Sequence, residues 1–400
     1  MFVTATATID VRHPTVRVPA SGQIASWLRE GVADGASDWH FTPGEKPALR
    51  VYGDIRYLGD RPIAEEEALE AWRSLTKEEG REKRTFFSPD DRSVEIDLDG
   101  SRKRFRVHAK VGQTGFSFNL RSLADAPRPL TALGTPRALI ELIHSRSAGL
   151  VLATGQTGSG KSTTLAAIID HLVETQPIKV ITYEAPIETI FRSRKGLVQQ
   201  HEVGPYGHGH IENFIEAAKS AMREDPDVIM FGELREPEAI RYAVEAAETG
   251  HLVFGTLHTG NAEQSISRLI TASPGEGKEF FLNSISTALL GVVSQRLIPT
   301  REGKLRANYE LMIVNEGISG CIARADFNQI KNTMLTGRRD GMFTFEEHLE
   351  ELFLSKEYSA EEVVRFSPVP RAMLRHLHNR KHITSQQFQL IGRMYGIQNI

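Results

Sequence analysis

The chain of 400 residues contains a single cysteine, Cys321. An internal disulfide and a four-cysteine zinc site are therefore excluded. No run of 18 or more apolar residues occurs, so no segment is long enough to cross a bilayer as an apolar helix. The N-terminus, Met1-Phe2-Val3-Thr4-Ala5-Thr6, lacks the charged and apolar regions of a signal peptide, and the chain is expected to stay in the cytoplasm. A net charge of −3 argues against a generally basic nucleic-acid binder. Carboxylates are missing from the last 36 residues, which hold Arg365, Arg371, Arg375, Arg380, Lys381 and Arg393. That tail reads either as a surface for an acidic partner or membrane lipid, or as solvated helix faces.

What is present is more specific. Residues 155–162 read Gly-Gln-Thr-Gly-Ser-Gly-Lys-Ser, after the apolar run Leu150-Val151-Leu152-Ala153 and before a helix-like segment from Ser162 to Ile169. Strand, glycine-rich loop and helix in that order form a phosphate-binding loop. Gly155, Gly158 and Gly160 let successive backbone N–H groups turn toward phosphate oxygens. The backbone of Gln156, Thr157 and Ser159 completes the nest. The helix start adds unpaired N–H groups and the positive end of its dipole. Lys161 supplies a charge for the β- and γ-phosphates, and Ser162, followed by Thr163, offers a hydroxyl to Mg²⁺. The ligand read from the loop is a nucleoside triphosphate with Mg²⁺.

Length favours two or three domains. The pattern predicts an extended arm over residues 1–20 and a small α+β domain over 21–122. Its strands are read from the alternations at Val94, Ile96, Leu98 and at Phe105, Val107, Ala109, Val111. Pro127, Pro129 and Pro136 mark a linker over 123–137. From 138 to 308 strands and helices alternate, which predicts an α/β domain with a mainly parallel sheet and a ligand at the carboxyl ends of its strands. Residues 309–400 read as a helical C-terminal region with a basic tail.

Hydrolysis of a triphosphate needs a second magnesium ligand and a group that orients water. The apolar run Val228-Ile229-Met230-Phe231-Gly232 ends in Glu233, the candidate Mg²⁺ ligand and catalytic carboxylate. Gly232 stands where many P-loop proteins carry Asp. Glu184 closes another apolar run and is the first candidate for orienting the attacking water, with Glu188 the weaker one. His258, at the end of the run 252–257, is placed to sense the γ-phosphate. His251 and His258 are expected on opposite faces of that strand, which speaks against a shared metal. His201, His208 and His210 form a further cluster, read as a flexible polar loop in preference to a zinc site.

Four stretches resemble the PilT-like secretion ATPases, hexameric motors of type IV pili and type IV secretion systems. They are residues 155–165, Tyr183-Glu184-Ala185-Pro186-Ile187-Glu188, the segment 223–233 (Arg-Glu-Asp-Pro-Asp-Val-Ile-Met-Phe-Gly-Glu) and the segment 248–259 (Glu-Thr-Gly-His-Leu-Val-Phe-Gly-Thr-Leu-His-Thr). Residues 36–40 and 50–56 extend the likeness to the N-terminal domain, so it covers about residues 21–355. The resemblance implies a PAS-like domain on a RecA-like ATPase domain and a homohexameric ring with nucleotide bound between the two domains. It further implies membrane-embedded secretion or pilus components of the inner membrane as partners, without direct nucleic-acid binding. It gives Arg106 and Arg121 the role of arginine fingers, with Arg104 a lesser candidate.

Three departures bear on the subfamily. Ala185 stands where the family usually has Asp. Gly317-Ile318-Ser319-Gly320-Cys321-Ile322 replaces the Ala-Ile-Arg-Asn-Leu-Ile stretch associated with pilus retraction. The four-cysteine segment of the pilus-assembly and type II secretion ATPases is absent. Together they resemble the DotB/TraJ-like branch, so the leading expectation is a hexameric ATPase motor of type IV secretion or conjugative transfer. The alternatives are a type IV pilus retraction ATPase, a nucleic-acid translocase on the same fold, and a nucleotide-dependent scaffold that does not hydrolyse.

Overall fold

A computed structural model describes residues 15–17, 22–51, 53–76, 90–204, 211–271, 277–302 and 304–397. The described chain divides into two compact units. One takes the residues up to Ala126 together with Ala185–Ile190, and the other takes Pro127–Glu184 and the described part of Phe191–Ile400.

In the first unit the elements run β1 (Thr15–Arg17), α1 (Gln23–Ala33), β2 (Asp38–Phe41), β3 (Ala48–Val51), β4 (Asp54–Tyr57), α2 (Glu65–Thr76), β5 (Asp90–Leu98), β6 (Ser101–Gly112) and β7 (Gly115–Ser122). They build a seven-stranded sheet of order β1-β5-β6-β7-β2-β3-β4. Alternation along β6 and β7 turns Phe105, Val107, Phe116, Phe118 and Leu120 to one face, where they pack with Trp39, Trp72 and Leu28. Each large side chain buried there contributes about 1.5–3 kcal/mol. Trp39 donates its indole N–H to Trp27 O at 3.0 Å. The opposite faces of β6 and β7 are left to polar residues, and Arg106 stands directly across from Arg121.

The second unit continues with α3 (Leu130–Leu133), α4 (Arg137–His144), β8 (Gly149–Thr154), α5 (Lys161–Thr175), β9 (Lys179–Glu184), β10 (Leu197–Glu202), α6 (Phe214–Ala221), β11 (Val228–Phe231), α7 (Pro237–Glu248), β12 (Leu252–Leu257), α8 (Ala262–Ile270) and α9 (Lys278–Ala288). Then come β13 (Leu289–Pro299), β14 (Leu305–Ile313), α10 (Glu316–Ala323), α11 (Asn328–Thr336), α12 (Phe345–Leu354), α13 (Ala360–Phe366), α14 (Pro370–Asn379) and α15 (Ser385–Met394). The sheet order is β10-β9-β11-β12-β8-β13-β14, parallel except for the antiparallel β13–β14 hairpin. Strands β8, β11 and β12 are buried along their whole length because helices cover both faces. One core layer joins the sheet to α6, α7, α8 and α9; the other joins it to α4 and α5. The C-terminal helices α12, α13, α14 and α15 close over their own cluster around Leu349, Val363, Met373 and Leu377.

The expected boundary of the helical region at 309 is corrected by β14, which carries the sheet through Ile313. The arm expected over 1–20 lies outside the described residues except for β1. Among the described residues no helix is long and apolar enough to cross a membrane.

Candidate nucleotide site

The phosphate loop is seated between the end of β8 and the start of α5. Gly155 has φ 148°, and a Cβ there would lie 2.4 Å from Gln295 O and 2.5 Å from Ser159 Oγ, so only glycine fits the turn. Gly160, with φ 89°, is the N-cap of α5 and leaves that helix end without a side-chain cap. Lys161 is buried and donates to Gly155 O at 2.7 Å and Gln156 O at 3.0 Å. Its ammonium is thereby held over the loop. Ser162 and Thr163 are exposed on the first turn. The buried Ser159 hydroxyl has no hydrogen-bond partner among the described residues, an unmet polar group that phosphate oxygens would satisfy. The cradle therefore fits a polyphosphate.

A chain of polar contacts leads from the loop across the sheet. Thr157 Oγ1 lies 3.5 Å from His258 Nδ1. His258 Nε2 lies 2.8 Å from Glu233 Oε1, and Glu233 is also paired with Arg235. The strands β8, β12 and β11 adjoin in that order, which is why their carboxyl ends bring these three motifs together. The exposed hydroxyl of Ser162 and the carboxylate of Glu233 are oxygen donors of the kind Mg²⁺ takes. Gly232 has a packing reason. A Cβ on it would lie 3.2 Å from Tyr183 O and 3.3 Å from Glu184 Cα, because Gly232 N–H donates to Tyr183 O at 2.7 Å.

Glu184 is buried at the end of β9. Its Oε1 accepts from Thr182 Oγ1 at 2.6 Å and from Gln200 Nε2 at 3.1 Å. The carboxylate is thus fixed by its own strand and by β10. Glu188 falls in the other unit, where its carboxylate lies 3.9 Å from Arg106. Arg121 donates from Nε to Asp38 Oδ1 at 2.7 Å. Arg104 is the most buried of the three arginines at 6% exposure. It donates to Ile187 O at 2.7 Å and Glu188 O at 3.1 Å, which gives it a structural duty the sequence did not suggest. Arg106 and Arg121 stand directly opposite each other, and each has its own carboxylate partner, Glu188 and Asp38.

His251 turns to Ala246 O, with Nδ1 at 3.0 Å, away from the contacts of His258. His201 corrects the expected histidine loop. It belongs to β10, stacks on Tyr183 with ring centroids 5.3 Å apart and lies 3.5 Å from Glu224. His208 and His210 lie outside the described residues. Sequence reading missed Arg235, although a cation two residues past Glu233 was a visible signal. It also missed Thr182, two residues before Glu184 on the same strand, and Gln200, which reaches Glu184 from the paired strand β10.

Because the loop, His258 and Glu233 are linked at the carboxyl ends of adjoining parallel strands, the second unit is a RecA-like P-loop ATPase domain preceded by a separate N-terminal domain. Known proteins agree with that class. Residues 17–366 match the family described as type II/IV secretion system protein, and the chain belongs to that family. It is 38% identical over 310 residues to a twitching motility protein of Neisseria gonorrhoeae, covering 76% of this chain and 80% of the relative. It is 36% identical over 347 residues to the type IV pilus retractation ATPase PilT of Pseudomonas aeruginosa, covering 87% and 98%. Among solved structures, the pilus retraction motor PilT with bound ADP superposes with a TM-score of 0.77 at 36% identity, covering 87% of this chain and 98% of that one. The ATPase DotB of Legionella pneumophila gives 0.72 at 28% identity with the same coverage.

Proposed function

We propose that this protein is a motor ATPase of the PilT type, a homohexamer in which ATP hydrolysis moves the N-terminal domain against the ATPase domain and drives a type IV pilus. The observation that carries the reading is the contact chain Thr157–His258–Glu233, in a chain 36% identical to PilT over 98% of that relative's length. Lys161, Ser159 and the loop amides bind the phosphates. Ser162 and Glu233 hold Mg²⁺, which when bound neutralises charge on the phosphates. Glu184 orients water, held in place by Thr182 and Gln200. Arg106 and Arg121 act as arginine fingers that supply charge to the phosphates. The motor works in the cytoplasm, held at the inner membrane by partner proteins.

The expectation of a DotB/TraJ-like secretion motor ranks second. Ala185 and the 317–322 stretch favour it, and the likeness to DotB supports it, but PilT shares more identity with this chain. Deleting the gene separates the two. Surface pili that accumulate while surface motility stops support a pilus motor; intact pili with lost conjugative or effector transfer support the second. Purified protein tests the motor itself: a particle six times the 44.6 kDa chain mass whose ATP turnover vanishes in Lys161→Ala and Glu233→Gln. Turnover that persists in Lys161→Ala rules the reading out. Stimulation by single-stranded DNA that weakens with salt would instead support a translocase.

A further inference from the structure

Strand β13 lies parallel to β8, with Ser294 beside Thr154, so Gln295 comes next to the point where the loop leaves the sheet. Its main-chain O, with Ser159 Oγ, leaves no room for a Cβ at Gly155, at 2.4 Å. Its side chain reaches the other end of the loop. Nε2 lies against Gly160, where a Cβ would come within 2.6 Å. Oε1 accepts from Thr164 Oγ1 at 2.8 Å, on the first turn of α5. Gln295 is 4% exposed and Thr164 1%, so the contact is dry and its geometry fixed. The bond to Thr164 orients the amide, with oxygen toward the helix and nitrogen toward the loop.

A residue that met these constraints by shape alone could as well be Glu, which has the same outline and the same acceptor for Thr164. The difference is charge. A carboxylate here would put a negative charge under a loop whose amides are gathered for an anion. We infer that Gln295 is a positioning residue for the triphosphate site, a neutral amide that seats both ends of the phosphate loop and keeps its floor free of negative charge. The inference rests on reading residues 155–162 as the nucleotide's phosphate loop. Its chemical consequence is selective: a charge at position 295 opposes a triphosphate more than a diphosphate, because the triphosphate carries the larger negative charge.

Full-length wild type, Gln295→Glu, Gln295→Met and Lys161→Ala are titrated with fluorescent ADP and a fluorescent non-hydrolysable ATP analogue between about pH 6 and pH 8.5. Gln295→Met, which keeps the volume but makes no side-chain amide hydrogen bond, should weaken both nucleotides equally by about threefold with no pH trend. Gln295→Glu should weaken the ATP analogue by about tenfold or more, and ADP less, with the gap widening as pH rises and the new carboxyl ionises. Gln295→Glu behaving like wild type or like Gln295→Met at every pH overturns the inference. If Gln295→Glu does not fold, Gln295→Met decides: a raised KM for ATP with kcat within about twofold supports positioning, and an unchanged KM overturns it. Lys161→Ala separates the two levels. Normal nucleotide binding by that variant defeats the phosphate-loop reading itself, whereas its loss alongside an indifferent Gln295→Glu defeats only the role of Gln295.

Discussion

Glu233 Oε1 and His258 Nε2 lie 2.8 Å apart at the ends of neighbouring strands. The imidazole's other nitrogen lies 3.5 Å from Thr157 of the phosphate loop. His258 therefore spans the distance between the loop and the carboxylate two strands away, a span no single short side chain covers when strands stand about 4.8 Å apart.

His258→Ala should leave the fold intact, because the side chain is 40% exposed. It should lower kcat for ATP by about 10–1000-fold while KM moves less, since the link supports the reaction more than ground-state binding. Steady-state kinetics read this directly. A kcat that stays within about twofold of wild type removes His258 from the machinery.

Gly232 invites the opposite experiment. Installing the Asp that many P-loop proteins carry there pushes a Cβ to 3.2 Å from Tyr183 O. Gly232→Asp should cost about 1–3 kcal/mol of stability and bring no gain in turnover. Thermal melting and an ATPase assay check both halves, and a stable, faster enzyme would show that packing is not why glycine stands there.

Arg104 holds two backbone carbonyls of the 185–190 segment from a buried position. Arg104→Ala removes both hydrogen bonds and should destabilise the N-terminal unit by about 2–3 kcal/mol. Hydrogen exchange confined to the 185–190 segment and to β6 is the expected signature. Unchanged exchange there, with nucleotide affinity lost instead, would return Arg104 to the list of phosphate contacts.

The parts of this architecture that show in the sequence are those with a strong local pattern. Strands β11 and β12 are short apolar runs bounded by polar residues, and α7 opens on Pro237 at its first turn, so residue types alone set their limits. Because these strands are parallel, the carboxylate or histidine that ends each run was also legible as a site residue. Strand β10 was not legible, since Gln199, Gln200 and His201 give it no apolar alternation. The β13–β14 hairpin was missed for a different reason. Helix α9 ends at Ala288 and β13 begins at the next residue, Leu289, with no turn residues to mark the change, and the run Tyr309 to Ile313 fits either a helix or a strand. Gln295 and Gln200 follow from the same loss: they matter through register with a neighbouring strand, which no single-chain pattern encodes.

Glu310 on β14 gives the molecule a measurable dependence on pH. Burial pushes its carboxyl up to about 7. Glu346 nearby pushes the same way, while Ala262 N–H, Lys331 and the Ser294 hydroxyl pull it down. Ala262 N–H donates to Oε1 at 2.9 Å. The folded state thus keeps a proton that the unfolded chain releases near its ordinary value of 4.5. Between those two values the native state binds more protons than the unfolded one, so stability falls as pH rises from about 4.5 to about 7 and levels off above. At full effect the loss is on the order of 3 kcal/mol. Glu310→Gln keeps an acceptor for Ala262 and carries no charge at any pH, so its melting temperature should exceed that of wild type at pH 8 and approach it near pH 5. The difference between the two proteins isolates Glu310 and is the quantity to follow. If that difference is flat across pH, Glu310 does not hold its proton in the folded state.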